Sequence, residues 1–110
     1  MLTNLPVITP WQHPDSYSSY HLYVIRLKLD EINKMHRHVY DALRTSGILV
    51  NLHYIPVYRQ PYYEKAGFIA GYCQQAEHYY SEAITLPMYP GLTEDQQNYV
   101  VTEIEKAISE

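Results

Sequence analysis

The sequence contains little cysteine and little glycine, with one cysteine, Cys73, and four glycines among 110 residues. A single thiol cannot close an internal disulfide, so the sequence gives no sign of an oxidising compartment. We therefore expect a cytoplasmic location. Four scattered glycines form no phosphate-binding loop, which argues against a mononucleotide site of that kind.

Positive charge and long apolar runs are also scarce. Eight Lys and Arg stand against twelve Asp and Glu, for a formal net charge of −4. Nucleic acids and anionic membranes require a clustered positive field, so neither is an expected partner. No window approaches the roughly 18 apolar residues of a membrane span, and the N-terminus lacks the regions of a signal peptide. The sequence therefore predicts a soluble protein.

The aromatic residues are almost all tyrosine, with thirteen Tyr against one Phe and one Trp. Each phenol brings a hydroxyl that needs a partner when it is buried. Such surfaces suit protein interfaces and sugar ligands, and they also suit ordinary half-buried packing. Composition alone leaves both interpretations open.

The first 19 residues differ in pattern from the rest of the chain. Pro6, Pro10 and Pro14 precede the polar run 15–19, and neither helical nor strand periodicity is present. We interpret residues 1–19 as an extended N-terminal arm whose apolar side chains pack on this chain or another. Residues 20–110 are expected to form one domain, since the length suits a single core.

Hydrophobic periodicity and turn residues predict an α+β fold in the domain. Asp30 is a candidate N-cap for the first helix, and Thr93 and Gln96 have the spacing of a capping box for the last. Pro56 ends the second strand. The predicted strands cover residues 20–28, 48–55 and 83–87, and the predicted helices cover 30–44, 62–65, 74–82 and the segment after Thr93. This order predicts a small three-stranded sheet with helices packed on one face.

Several blocks, taken in order, resemble the DegT/StrS-type sugar aminotransferase family. They include Val50-Asn51-Leu52-His53-Tyr54-Ile55-Pro56-Val57, Gln60-Pro61-Tyr62-Tyr63 and Ile84-Thr85-Leu86-Pro87-Met88-Tyr89-Pro90-Gly91. The resemblance implies the C-terminal small domain of the aspartate-aminotransferase fold type. It also implies a full-length parent that uses pyridoxal phosphate (PLP) to aminate 4-keto-6-deoxy sugar nucleotides for surface polysaccharides and related glycans.

The same resemblance implies that the catalytic machinery lies elsewhere. In that family an earlier large domain carries the Schiff-base lysine and the cofactor-binding residues. The four lysines here, Lys28, Lys34, Lys65 and Lys106, match ordinary small-domain positions. We therefore expect no catalytic and no cofactor-binding residue in this chain, no activity by the chain alone, and self-association through an exposed interdomain surface.

Five residues are candidates for substrate binding. The resemblance implies that His53 and Tyr54 lie next to the sugar-nucleotide pocket, where an imidazole could bind a sugar hydroxyl or a phosphate. Tyr58 stands where many relatives have histidine, and its phenol still donates a hydrogen bond. Arg59 could pair with a diphosphate, and Gln60 follows it in the same loop. The alternatives are a structural strand-end histidine and a solvated surface arginine.

Two further interpretations concern a metal site and a binding module. His36 and His38 lie two apart on a predicted helix and point to different faces, so we expect no metal site. The alternative function is a stand-alone module that binds a small ligand or a protein through a tyrosine-rich surface.

Overall fold

A three-stranded antiparallel sheet organises the structure, a computed structural model that describes residues 1–109. Its strands are β1 (Val7–Ile8), β2 (Tyr23–Leu27) and β3 (Ala83–Leu86), and β2 lies in the centre. The helices are α1 (His36–Thr45), α2 (Pro61–Lys65), α3 (Gln74–Glu82) and α4 (Glu94–Ser109), and a short 3-10 turn covers Val57–Arg59. The predicted α+β class is thereby confirmed.

The core lies between one face of the sheet and the helices α1 and α4. Ile25 of β2 faces Ile84 of β3 in register, and both are fully buried. Val39 and Leu43 of α1 and Ile104 of α4 are buried with them, because their spacing places them on the inner stripe of each helix. Burial of each such side chain contributes about 1.5 to 3 kcal/mol, so this layer dominates the stability of the domain.

The start of α4 has the predicted capping box. The Thr93 amide donates to Gln96 Oε1 at 2.9 Å, and the Gln96 amide donates to Thr93 Oγ1 at 3.1 Å. These reciprocal bonds satisfy backbone donors that have no partner inside the helix.

Polar contacts join the C-terminal end of α1 to α4. Ser46 Oγ lies 3.0 Å from Glu103 Oε2, and Tyr99 donates its hydroxyl to the Ser46 carbonyl at 2.7 Å. Hydrogen bonds from Lys106 and then from Ser46 hold the pKa of Glu103 below its ordinary value. The contacts fix the two helices against each other at the rim of the core.

The predicted N-cap at Asp30 is wrong. The Glu31 amide donates to the Lys28 carbonyl at 2.8 Å and closes a turn there, and α1 begins at His36. Residues 28–35 connect the end of β2 to α1. His36 Nε2 then donates to the Ala83 carbonyl at 2.8 Å, which anchors the start of the helix.

The predicted strand at 48–55 is also wrong. The Val50 amide donates to the Ile48 carbonyl at 2.9 Å, so it is not available to a sheet ladder. Only Asn51 forms a bridge, pairing with Thr85 of β3. Burial also fails to alternate, because Val50 is buried whereas Tyr54 is 65% exposed. The third strand is instead β1, and its two residues are too few to produce a readable period in the sequence.

The other face of the sheet carries a buried ion pair. Arg26 alternates with the core residues of β2 and therefore points away from them. Its Nε lies 2.6 Å from Glu82 Oε1 at the end of α3, and the Glu82 side chain is only 9% exposed. His78 Nε2 lies 3.3 Å from the other carboxylate oxygen, and the guanidinium also lies over the ring of Tyr79. This cluster attaches α3 to the sheet.

Within residues 1–109, none of the helices is long and apolar enough to cross a membrane.

Candidate functional site

The segment that carries the five predicted residues leaves the edge of β3 and runs over the surface. His53 is half-buried at its start, where the ring Nδ1 lies 2.9 Å from Thr85 Oγ1. Thr85 is itself buried, so its hydroxyl needs a partner, and the imidazole supplies one. The bond fixes the ring, and Nε2 makes no hydrogen bond within residues 1–109.

Tyr54 and Gln60 present free side chains at the two ends of the segment. The Tyr54 ring lies 4.5 Å from the His53 ring between centroids, and 65% of the residue is exposed. Gln60 is exposed and precedes α2, and its carbonyl accepts the amides of Tyr63 and Glu64 at 3.0 Å. The backbone of Gln60 is therefore fixed while its amide group faces solvent.

Tyr58 is held by Glu77, which lies in the first turn of α3. The phenol donates to Glu77 Oε2 at 2.5 Å and accepts the Cys73 amide at 3.1 Å. The loss of water around the ring and the bond to Glu77 raise the pKa of Tyr58. The Tyr58 bond first, then the Gly71 amide and Arg59, holds the pKa of Glu77 below its ordinary value.

Arg59 already faces two carboxylates. Its Nη1 donates to Glu77 Oε1 at 3.1 Å, and its Nε lies 3.6 Å from Glu64 Oε1, too far for a hydrogen bond. The two contacts differ in strength, because only the first combines charge with hydrogen bonding. A phosphate oxygen could therefore replace Glu64 more easily than Glu77.

The five residues thus form two groups. His53 and Tyr54 lie together at β3, whereas Tyr58 and Arg59 meet at Glu77, and no hydrogen bond or ring contact within residues 1–109 joins one group to the other. Neither Glu77 nor Thr85 was predicted from the sequence to be a functional residue. A threonine within an otherwise apolar strand was the available signal for Thr85, because a buried hydroxyl requires a partner.

A groove of about 550 Å³ lies elsewhere, between the N-terminal residues, the end of β3 and α4. Its lining is mainly apolar and includes Leu2, Leu86, Met88 and Val100. None of the five predicted residues lines it.

All four lysines are exposed or half-buried. Lys65 is exposed at the end of α2, and Lys106 Nζ contacts Glu103 at 2.9 Å. Lys28 lines a depression of about 360 Å³ together with Arg26, His78 and the carboxylates of Asp30 and Glu82. The absence of cofactor binding by the chain alone stays a prediction.

Comparison with known proteins identifies the family. Residues 1–105 match the sequence model described as the DegT/DnrJ/EryC1/StrS aminotransferase family. The chain belongs to this family. The predicted resemblance is therefore confirmed, and PLP is the cofactor on which the DegT/DnrJ/EryC1/StrS enzymes depend.

Two curated relatives illustrate the match to the DegT/DnrJ/EryC1/StrS family. The chain is 36% identical over 100 residues to a pleiotropic regulatory protein of Geobacillus stearothermophilus, covering 89% of this chain and 25% of the relative. It is 30% identical over 100 residues to the spore coat polysaccharide biosynthesis protein SpsC of Bacillus subtilis, covering 89% of this chain and 26% of the relative. The chain thus spans about a quarter of the length of these relatives.

Solved structures of sugar aminotransferases share the fold. The PMP form of the putative sugar aminotransferase Spr1654 from Streptococcus pneumoniae superposes with a TM-score of 0.87 at 20% identity, over 98% of this chain and 27% of that one. DesV of S. venezuelae, solved in complex with a ketimine intermediate, gives 0.79 at 28% identity, over 96% of this chain and 28% of that one. The fold of this chain therefore corresponds to one part of larger DegT/DnrJ/EryC1/StrS proteins.

Proposed function

We propose that the chain is the substrate-binding C-terminal small domain of a PLP-dependent aminotransferase acting on 4-keto-6-deoxy sugar nucleotides in the cytoplasm, and that it is inactive alone. The family match over residues 1–105 carries the proposal. The name of the Bacillus subtilis relative, which concerns spore coat polysaccharide, supports the glycan context. PLP, when bound, supplies the electron sink for amino transfer.

In this proposal the segment from His53 to Gln60 forms one wall of the sugar-nucleotide pocket. His53 Nε2 and the Tyr54 hydroxyl bind sugar hydroxyls, and the Gln60 amide adds a further hydrogen bond. Arg59 receives a diphosphate oxygen on the side that now faces Glu64, and Tyr58 borders the same loop. The exposure of Tyr54 and Gln60 and the absence of a hydrogen bond at His53 Nε2 within residues 1–109 support these roles.

The binding role is tested by NMR titration of the 110-residue chain with dTDP-4-keto-6-deoxy-D-glucose. We expect saturable shifts at His53, Tyr54 and Gln60, reduced by His53→Phe and unchanged by His38→Phe, because His38 lies exposed on α1. Thymidine diphosphate alone and the free sugar serve as controls. No shift at about 5 mM ligand, a concentration that detects even millimolar dissociation constants, would contradict the proposal.

Inactivity of the chain alone has a separate test. The purified chain is mixed with PLP, glutamate and the same sugar nucleotide, and the amino sugar product is measured by mass spectrometry. We expect no product, because the family resemblance implies that the Schiff-base lysine belongs to a separate large domain. Amino transfer above a blank without protein would show that the chain carries its own cofactor site.

A tyrosine-rich interaction surface is the second candidate function. The rings of Tyr62, Tyr63, Phe68 and Tyr72 contact one another edge to face, with centroids 5.1 to 6.2 Å apart. Tyr62 is 76% exposed, and the nearby Ile69 in the chain is 71% exposed. These aromatic residues and Ile69 therefore present apolar area to solvent. We propose that two copies associate here. Light scattering should give a dimer that Ile69→Ser disrupts, and a monomer at high concentration would contradict the proposal.

A further inference from the structure

The surface loop between residues 57 and 73 has no core of its own. Every residue from Val57 to Cys73 is exposed or half-buried. Its aromatic row gives local contacts but does not attach the loop to the sheet. The geometry of this loop must therefore depend on contacts with a fixed element.

Glu77 provides those contacts from α3. The Glu77 amide donates to the Cys73 carbonyl at 3.2 Å, so its backbone is part of the helix. Its carboxylate accepts three donors, from Tyr58 at 2.5 Å, from the Gly71 amide at 2.6 Å and from Arg59 at 3.1 Å. One side chain thus joins both ends of the loop to the same helix.

We propose that Glu77 is a positioning residue that holds the Val57–Gln60 turn in the geometry required to bind the sugar nucleotide. It acts through Tyr58 and Arg59 and does not touch the substrate. The consequence for binding rests on the proposed function, whereas the positioning of the loop does not.

The chemistry of the three donors requires a carboxylate. Oε2 accepts from Tyr58 and from Gly71, and Oε1 accepts from Arg59, so both oxygens must be acceptors. A glutamine at position 77 would present its NH₂ group either to the Arg59 guanidinium or to the Gly71 amide. Either orientation sets donor against donor, and one contact is lost.

Hydrogen exchange on the 110-residue chain tests the positioning directly. In Glu77→Gln we expect the exchange rate of the Gly71 amide to rise about tenfold, because its acceptor is lost or weakened. Glu64→Gln is the matched control, since Glu64 also lies beside Arg59 but accepts no hydrogen bond from it. Equal exchange in Glu77→Gln and in the unmodified chain would overturn the proposal.

A spectroscopic signature separates positioning from a general loss of structure. The bond to Glu77 contributes to the raised pKa of Tyr58, so carbon-13 NMR titration of the Tyr58 ring should show a lower pKa in Glu77→Gln, with the melting temperature nearly unchanged. If Glu77→Gln fails to fold, Tyr58→Phe removes the bond between Tyr58 and Glu77 and should raise the exchange rate of the Gly71 amide, which donates to the same Glu77 oxygen. Unchanged exchange there would equally overturn the proposal.

The affinity for dTDP-4-keto-6-deoxy-D-glucose tests the functional consequence of the positioning. We expect Glu77→Gln to raise the dissociation constant about tenfold, which is the effect of one lost charged contact. Glu64→Gln should not raise it. If the unmodified chain binds no sugar nucleotide, the proposed function fails while the exchange result still decides the positioning. Equal affinity of the unmodified chain and Glu77→Gln would overturn the role of Glu77 in binding.

Discussion

The ion pair between Arg26 and Glu82 should contribute strongly to the stability of the folded chain. Loss of Arg26 would leave a carboxylate that is 9% exposed with His78 as its remaining ionic partner. Removing one partner of a fully buried pair costs about 3 to 5 kcal/mol. The Arg26 side chain is 30% exposed, and water therefore reaches the pair, which reduces the expected cost of Arg26→Met to about 2 to 3 kcal/mol.

A double-mutant cycle measured by urea unfolding tests this reasoning. Glu82→Leu combined with Arg26→Met should recover stability to within about 1 kcal/mol of the unmodified chain, because no buried charge then lacks a partner. The surface pair Arg37 and Asp41 is the control, with side chains 85% and 58% exposed. Arg37→Met should cost less than about 0.5 kcal/mol. If Arg26→Met costs no more than Arg37→Met, the buried pair does not stabilise the fold as argued.

Other perturbations address the core, the histidine and the carboxylates. Ile104→Ala removes a fully buried side chain and should cost about 2 to 5 kcal/mol in urea unfolding; a cost below about 1 kcal/mol would contradict the assigned packing. Thr85→Val removes the partner of His53 and should cost about 1 to 2 kcal/mol, and the nitrogen-15 spectrum of the His53 ring should change with it. Side-chain hydrogen bonds lower the folded-state pKa of Glu77 and Glu103. The stabilisation that these two carboxylates provide is therefore complete above the unfolded carboxyl pKa, and it is lost as the pH falls through the lower folded pKa values. In a variant with glutamine at both positions, the free energy of unfolding between about pH 5 and pH 2 should therefore depend less on pH.

Local sequence patterns predicted the elements whose signals are confined to a few neighbouring residues. The helix predicted at 62–65, the capping box at Thr93 and the strand predicted at 20–28 each have a local cause in the sequence. The segment 48–55 is rich in β-branched and apolar residues like β2, but it does not form the predicted strand. The Val50 amide bonds to the Ile48 carbonyl instead, and tertiary contacts determine the course of the backbone. Propensity is overridden in such cases.

The candidate site was predictable only in part for a similar reason. The family resemblance indicated the segment from His53 to Gln60, but it could not indicate which side chains face inward. Thr85 lies 32 positions from His53, and Glu77 lies 19 from Tyr58. Such pairs depend on how the elements pack, and no short-range pattern records them.

The bridge between Asn51 and Thr85 also determines how the sheet can meet other chains. The outward backbone groups of β3 are engaged, since Thr85 exchanges two bonds with Asn51 and the Ala83 carbonyl accepts His36. A strand from another molecule would have to displace these bonds before it could extend the sheet. Association of copies by strand addition at β3 is therefore disfavoured.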